Sequence, residues 1–178
     1  TPGNRAWWPG CQGWPPAGAG ALRPGGVRLW LGVDAHAGDI ALVQSTAFNY
    51  AGTAQIMFCY GRGVVVGGKC VDTCSGGSTT NVMLGDSGAI YAASSDAAAD
   101  RFGSLPITLG MVQTLAPDIG GNDHIQTGTG SAVIMGGFGD DIISTVLATD
   151  TPDPSTTNFG LGDNGFITWV GQELRPVG

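Results

Sequence analysis

The sequence predicts an all-β protein: a parallel β-roll, or β-solenoid, built from degenerate nine-residue repeats and preceded by an irregular Pro/Trp-rich N-terminal segment. Three observations predict it. Glycine supplies 32 of 178 residues while only 12% of the chain is charged. Residues 136–144, GGFGDDIIS, fit the pattern G-G-x-G-x-D-x-U-x, with U a large aliphatic, at every specified position, and 127–135 (TGTGSAVIM) and 118–126 (DIGGNDHIQ) precede it in the same frame. Finally, STTNVMLGDSGAI at 78–90 is echoed 77 residues later by STTNFGLGDNGFI at 155–167.

In that frame position four holds Gly121, Gly130 and Gly139, position six holds Asp123, Ala132 and Asp141, and position eight holds Ile125, Ile134 and Ile143. Glycines allow tight turns closed to residues with a Cβ, and one aliphatic per unit marks a very short strand with one face inward. A single unit cannot bury its aliphatic alone, so units must stack. Two units make one coil, which places residues eighteen apart side by side. Upstream the frame continues more weakly through 49–57 (NYAGTAQIM), 58–66 (FCYGRGVVV), 67–75 (GGKCVDTCS), 76–84 (GGSTTNVML) and 85–93 (GDSGAIYAA).

The domain reading is therefore a cap or interface segment at 1–48 and a degenerate roll at 49–178, interrupted by an excursion at 94–117. The excursion reads as a flap, an alanine-rich helical turn followed by a strand, and a Pro/Thr-rich insertion follows near 145–154. ITWVGQELRPVG reads as a last strand and a tail. Trp7, Trp8 and Trp14 among prolines and glycines read as a plug or subunit contact, with a carbohydrate platform as the rival.

The net charge of -7 disfavours nucleic acid and anionic membrane, which require clustered Lys and Arg. No run of eighteen apolar residues exists, so no membrane span is expected. Opening at Thr1 without a basic-apolar leader, the chain reads as a processed or excised piece. Cys11, Cys59, Cys70 and Cys74 read as disulfide candidates in an oxidising compartment, in preference to a zinc site, because no second Cys/His pair matches Cys70-x-x-x-Cys74.

The string Gly85-Asp86-Ser87-Gly88 raises a serine-protease alternative, but the second copy reads Gly162-Asp163-Asn164-Gly165. A nucleophile would not be replaceable in this way, and neither His36 nor His124 has a partner at catalytic spacing. The sequence is accordingly read as non-enzymatic. Asp123 and Asp141 are expected on one edge of the roll, one coil apart. Two carboxylates so placed repel unless a cation lies between them, and hard oxygen donors of this kind suit Ca²⁺.

Residues 118–144 resemble the calcium-binding nonapeptide repeats of RTX (haemolysin-type) proteins. The LGDSG and LGDNG stretches are similar to those bounding repeat blocks in large extracellular proteins of adhesin or mastigoneme type. The resemblance implies Ca²⁺ ligation by Asp123 and Asp141, with the turn glycines Gly121 and Gly139, and extends to Asp72, with Asn81 as a weaker oxygen donor. Asp86 and Asp163 stand second rather than sixth in their units, and read as turn caps with ligation as the competing role. The implied function is a calcium-stabilised structural or adhesive module of a secreted or cell-surface filament or giant protein, associating with itself or with neighbouring modules. The alternative is a calcium-binding accessory domain of a secreted hydrolase or toxin.

Overall fold

The computed structural model describes residues 42–45, 48, 53, 55–57, 63–94, 102, 105, 107–145 and 154–170. Among these residues the protein is all-β, with no helix. The strands are β1 (Leu42–Gln44), β2 (Gln55–Met57), β3 (Gly63–Val66), β4 (Thr73–Ser75), β5 (Asn81–Leu84), β6 (Gly88–Ala92), β7 (Leu109–Thr114), β8 (His124–Gln126), β9 (Ala132–Gly137), β10 (Ile142–Ser144), β11 (Asn158–Asp163) and β12 (Phe166–Thr168).

They form three four-stranded sheets: β1-β6-β7-β12, β10-β8-β4-β2 and β11-β9-β5-β3. The first is antiparallel throughout and is called here the outer sheet. The other two are parallel throughout, and successive strands of the chain alternate between them. Gln55 pairs with Thr73, Gly63 with Asn81 and His124 with Ile142, each eighteen residues on.

The β3/β5/β9/β11 sheet is the middle layer. On one face Val64, Val66, Val82, Leu84, Val133 and Met135 pack against Val43, Ile90, Leu109 and Val112 of the outer sheet. On the other, Val65, Met83 and Ile134 pack against Cys74 and Ile125, with Ile56 and Ile143 at the margins. Burial on both faces explains why these strands read as apolar runs (VVV, NVML, AVIM) instead of alternating.

The outer sheet departs from the nine-residue frame. The sequence places 85–93 in that frame as another unit, but 88–92 is β6, an antiparallel strand of a different sheet. The excursion expected at 94–117 therefore begins earlier, directly after Asp86. It returns through β7 and rejoins the parallel sheets at Gly121, so Thr73 pairs with His124 across 51 residues instead of eighteen. The expected helical turn at the alanines lies outside the described residues. β1 belongs to the outer sheet although it falls within the segment read as a cap. Residues 1–41, with the three N-terminal tryptophans, His36 and Cys11, lie outside the described residues, as does Cys59.

The two halves of the chain repeat each other strand for strand. Val43 and Val112, Gln55 and His124, Gly63 and Ala132, and Thr73 and Ile142 stand 69 residues apart, and each opens or occupies the equivalent strand of its half. After the insertion between β10 and β11 the offset becomes 77, as for Asn81 and Asn158 or Ile90 and Ile167. Pairing is equivalent too: Val43 faces Ile90 as Val112 faces Ile167, and Gly63 faces Asn81 as Ala132 faces Asn158. Even the clamp at the start of each outer strand recurs. The Ser45 N–H donates to the Gly88 carbonyl and the Gly88 N–H to the Ser45 hydroxyl, and Thr114 and Gly165 make the same reciprocal pair.

Two-sided burial sets the stability expectation. Ile134, fully buried in the middle sheet, is expected to cost about 3 kcal/mol as Ile134→Ala, whereas Phe166→Ala, at a side chain 66% exposed, is expected to cost less than about 0.5 kcal/mol. Denaturant unfolding of the two variants checks the contrast.

Candidate metal centre

The candidate site is the edge where the chain passes from the middle sheet to the second parallel sheet. Each strand of the middle sheet has a glycine at its end: Gly67 after β3, Gly85 after β5, Gly136 near the end of β9 and Gly162 near the end of β11. The ladder continues through them, with the Gly67 N–H donating to the Leu84 carbonyl and the Gly85 N–H to the Met135 carbonyl. Before β4, β8 and β10 stand Asp72, Asp123 and Asp141, stacked by the register of those strands.

The three aspartates are joined by main-chain to side-chain hydrogen bonds. The Asp72 N–H donates to Asp123 Oδ1 at 2.8 Å, and the Asp123 N–H donates to Asp141 Oδ1 at 2.8 Å. Asp123 and Asp141 are thus neighbours at a spacing of eighteen, bridged by a backbone N–H. Their second carboxylate oxygens, Asp123 Oδ2 and Asp141 Oδ2, are buried and have no hydrogen-bond partner.

Glycine makes room for these oxygens. A Cβ added at Gly85 would collide with Asp123 Oδ2 and the Gly136 carbonyl oxygen, and one added at Gly136 would collide with Asp141 Oδ2 and the Gly162 carbonyl oxygen. At Gly67 the same construction meets Asp72 Oδ2 and the Gly85 carbonyl oxygen. One carboxylate oxygen and one glycyl carbonyl therefore converge at each level of the stack. Gly121 and Gly139 are needed for close approach of a different kind, since a Cβ on either would strike the backbone of the preceding level, at Cys70 and Gly121 respectively. Gly139 also has φ +130°, and Cys70, at the matching position, takes φ 148°, a region that favours glycine.

Burial dominates the electrostatics. Desolvation pushes the Asp123 carboxyl up to about 8; the Asp72 N–H opposes the rise, and the neighbouring charges of Asp86, Asp72 and Asp141 add to it. Asp141 is also raised, by burial first and then by Asp163 and Asp140.

Asp86 does something else. Its two carboxylate oxygens accept the Gly121 N–H at 3.0 Å and the Phe138 N–H at 2.6 Å. A Cβ at Gly120 or Gly137 would strike this carboxylate. Asp86 lies where the excursion leaves and Gly121 where it returns, so one side chain staples both ends of the excursion to the next level. Burial, opposed by those two N–H bonds, pushes its carboxyl up to about 7. Asp163, its counterpart in the second half, is exposed at the end of β11.

The remaining sequence candidates are dispersed. Asn81 lies on the opposite edge, where its amide donates to the carbonyls of Gly77 and Thr79 and closes its own turn, leaving Asn81 Oδ1 buried and without a partner. Asp140 is exposed, and its N–H donates to Asn122 Oδ1. His124 is exposed at the start of β8. Ser87 is buried in the turn into β6, with its carbonyl accepting the Leu115 N–H. Cys74 corrects the disulfide expectation: it is a free thiol in the core, in line with Ile56, Ile125 and Ile143, and is not joined to Cys70. Burial, with Asp72 and Asp123 nearby, pushes its thiol up to about 12.

Among the described residues no three His, Cys, Asp or Glu side chains converge as a metal cluster. Donors at the Gly/Asp edge are instead carboxylate oxygens alternating with glycyl carbonyls, a hard, all-oxygen set of the kind Ca²⁺ accepts, and the orphaned oxygens of Asp123 and Asp141 lack any other partner. Sequence reasoning missed the first-position glycines Gly85 and Gly162 and the stapling role of Asp86; the recurrence of Gly-Asp in both halves was the available signal. Comparison with family models, curated proteins and solved structures finds no match.

Two outcomes are expected. Asp86→Ala strands the N–H groups of Gly121 and Phe138 and is expected to cost about 3 kcal/mol, with hydrogen exchange accelerated first in β6 and β7. In chelator, the raised carboxyls of Asp123 and Asp86 hold protons that the unfolded chain, at the ordinary value of 3.8, has already released. Metal-free stability is therefore greatest near pH 4 and is lost as pH rises through about 7 and about 8. Thermal melts in chelator across this range check the sign.

Proposed function

We propose that the two parallel sheets form a calcium-stabilised β-roll, akin to the RTX repeats and covered on one face by the antiparallel outer sheet, serving as a structural or adhesive module of a secreted or cell-surface protein. The observation that carries this reading is the Gly/Asp edge: Asp72, Asp123 and Asp141 stacked in register, with orphaned oxygens of Asp123 and Asp141 beside glycyl carbonyls. The alternation of strands between two parallel sheets at an eighteen-residue register supports a winding chain with two nine-residue units per coil.

Calcium, when bound, neutralises carboxylates that burial otherwise disfavours. Asp123 and Asp141 would hold it, with the carbonyls of Gly85, Gly136 and Gly162, and Asp72 at the first level. Burial discourages Asp123 and Asp141 from ionising without a cation, so ion binding and folding are coupled. Such coupling suits a chain that folds where calcium is plentiful. The opposite edge, with Ala132 in place of an aspartate and Asn81 engaged in its own turn, is expected to bind no ion.

Melting followed by circular dichroism, with calcium titrated into the chelated protein, tests the reading. Calcium at a hundredfold excess over its Kd is expected to add about 2.7 kcal/mol, and Asp123→Asn and Asp141→Asn are expected to abolish the increment while Asn81→Ala leaves it. A melting temperature indifferent to calcium would overturn the proposal.

A further inference from the structure

Among the described residues, the last layer of the second half is covered by no further strand. β10, β11 and β12 are each the edge strand of their sheet. Asn158, Phe159 and Gly160 of β11 are exposed, Phe166 is 66% exposed and Ile142 63%. Among the described residues, nothing lies within 4 Å of a Cβ built at Gly160 or Gly162. At the opposite end β3, also an edge strand, is buried along its length. The two ends of the stack are therefore unlike.

The molecule itself contains a covered version of the open layer. β4, β5 and β6 are the first-half equivalents of β10, β11 and β12, and they are covered by β8, β9 and β7. Val82, Met83 and Leu84 are fully buried there, whereas Phe159, at the place of Val82, is 40% exposed. The covering strands are the leading strands of the second half. A Ser/Thr clamp, a middle-sheet strand and an aspartate one level on all recur in register, so the surface that accepted the second half is rebuilt at its far end.

We infer that the β10/β11/β12 layer is a docking face for a further unit of the same six-stranded architecture, which enters through strands equivalent to β7, β8 and β9. The register follows from the internal junction. Gly165, Ile167 and Thr168 pair with the incoming residues equivalent to Thr114, Val112 and Met111, as Gly88, Ile90 and Tyr91 do. Ile143 receives the equivalent of Ile125, as Cys74 does, and Phe159 the equivalent of Val133, as Val82 does. The Asp141 N–H then meets the incoming aspartate, as the Asp72 N–H meets Asp123. Repetition of a head-to-tail contact of this kind does not close on itself, and yields an extended rod. The inference rests on strand register and does not require calcium.

The test is a tandem chain in which residues 1–169 are followed by a second copy of 93–178, Ala92 and Trp169 being equivalent positions. Amide exchange in β11 of the parent segment is expected to slow by about 100-fold relative to the original chain, with or without chelator. Thr168→Cys combined with Met111→Cys in the added copy is expected to crosslink on mild oxidation, and either cysteine alone is not. Unchanged exchange in β11, or a crosslink no stronger than in the single-cysteine controls, would overturn the inference.

Discussion

The chain's architecture depends on how closely the Gly/Asp edge can stack. Asp72, Asp123 and Asp141 each stand one level apart, and the N–H groups of Asp72 and Asp123 reach the next carboxylate because glycine occupies the facing position. A methyl group at Gly85 or Gly136 would separate the levels. Close stacking at the edge fixes the register of both parallel sheets, and that register decides which side chains enter which core. Val64 and Val66 then face the outer sheet while Val65 faces the second parallel sheet, so a slip of one residue would exchange the two cores.

Much of this was legible where the nine-residue frame is unbroken. Residues 67–75 and 136–144 share the opening glycine pair, the aspartate and a core residue at position eight, and the structure places them in matching turns and strands, with Cys70 at the place of Gly139. The frame misled at 85–93, because periodicity records residue types and not the sheet a strand joins: Ala89, Ile90 and Tyr91 alternate like any strand, and only the antiparallel pairing with β1 and β7 distinguishes them. Cys74 looked like half of a bridge because cysteine spacing does not reveal that position eight is a core position. Asn81, read as an oxygen donor at the position where Ala132 offers none, closes its own turn through its amide nitrogen and keeps its Oδ1 buried without a partner. The Trp-rich segment lies outside the described residues.

GDSG and GDNG have one structural meaning. In each half the glycine-aspartate pair stands where a strand of the middle sheet ends, and the following Gly88 or Gly165 leads the chain into a strand of the outer sheet, clamped by Ser45 or Thr114. The intervening residue differs between the halves: Ser87 is buried in its turn, whereas the Asn164 amide donates to the Pro117 carbonyl. What the motif specifies is a change of direction. Repeating that change gives the protein its third layer, which covers the middle sheet on the face that the parallel strands alone leave bare.

Cys74 offers one last consequence. Its sulfur lies in the aliphatic column between two parallel sheets and stays protonated at neutral pH, so alkylating reagents reach it as a thiolate only when the layers separate. The thiol is thus an intrinsic clock for breathing of the interior: the pace at which a small electrophile consumes it measures how often the sandwich parts, with no label introduced.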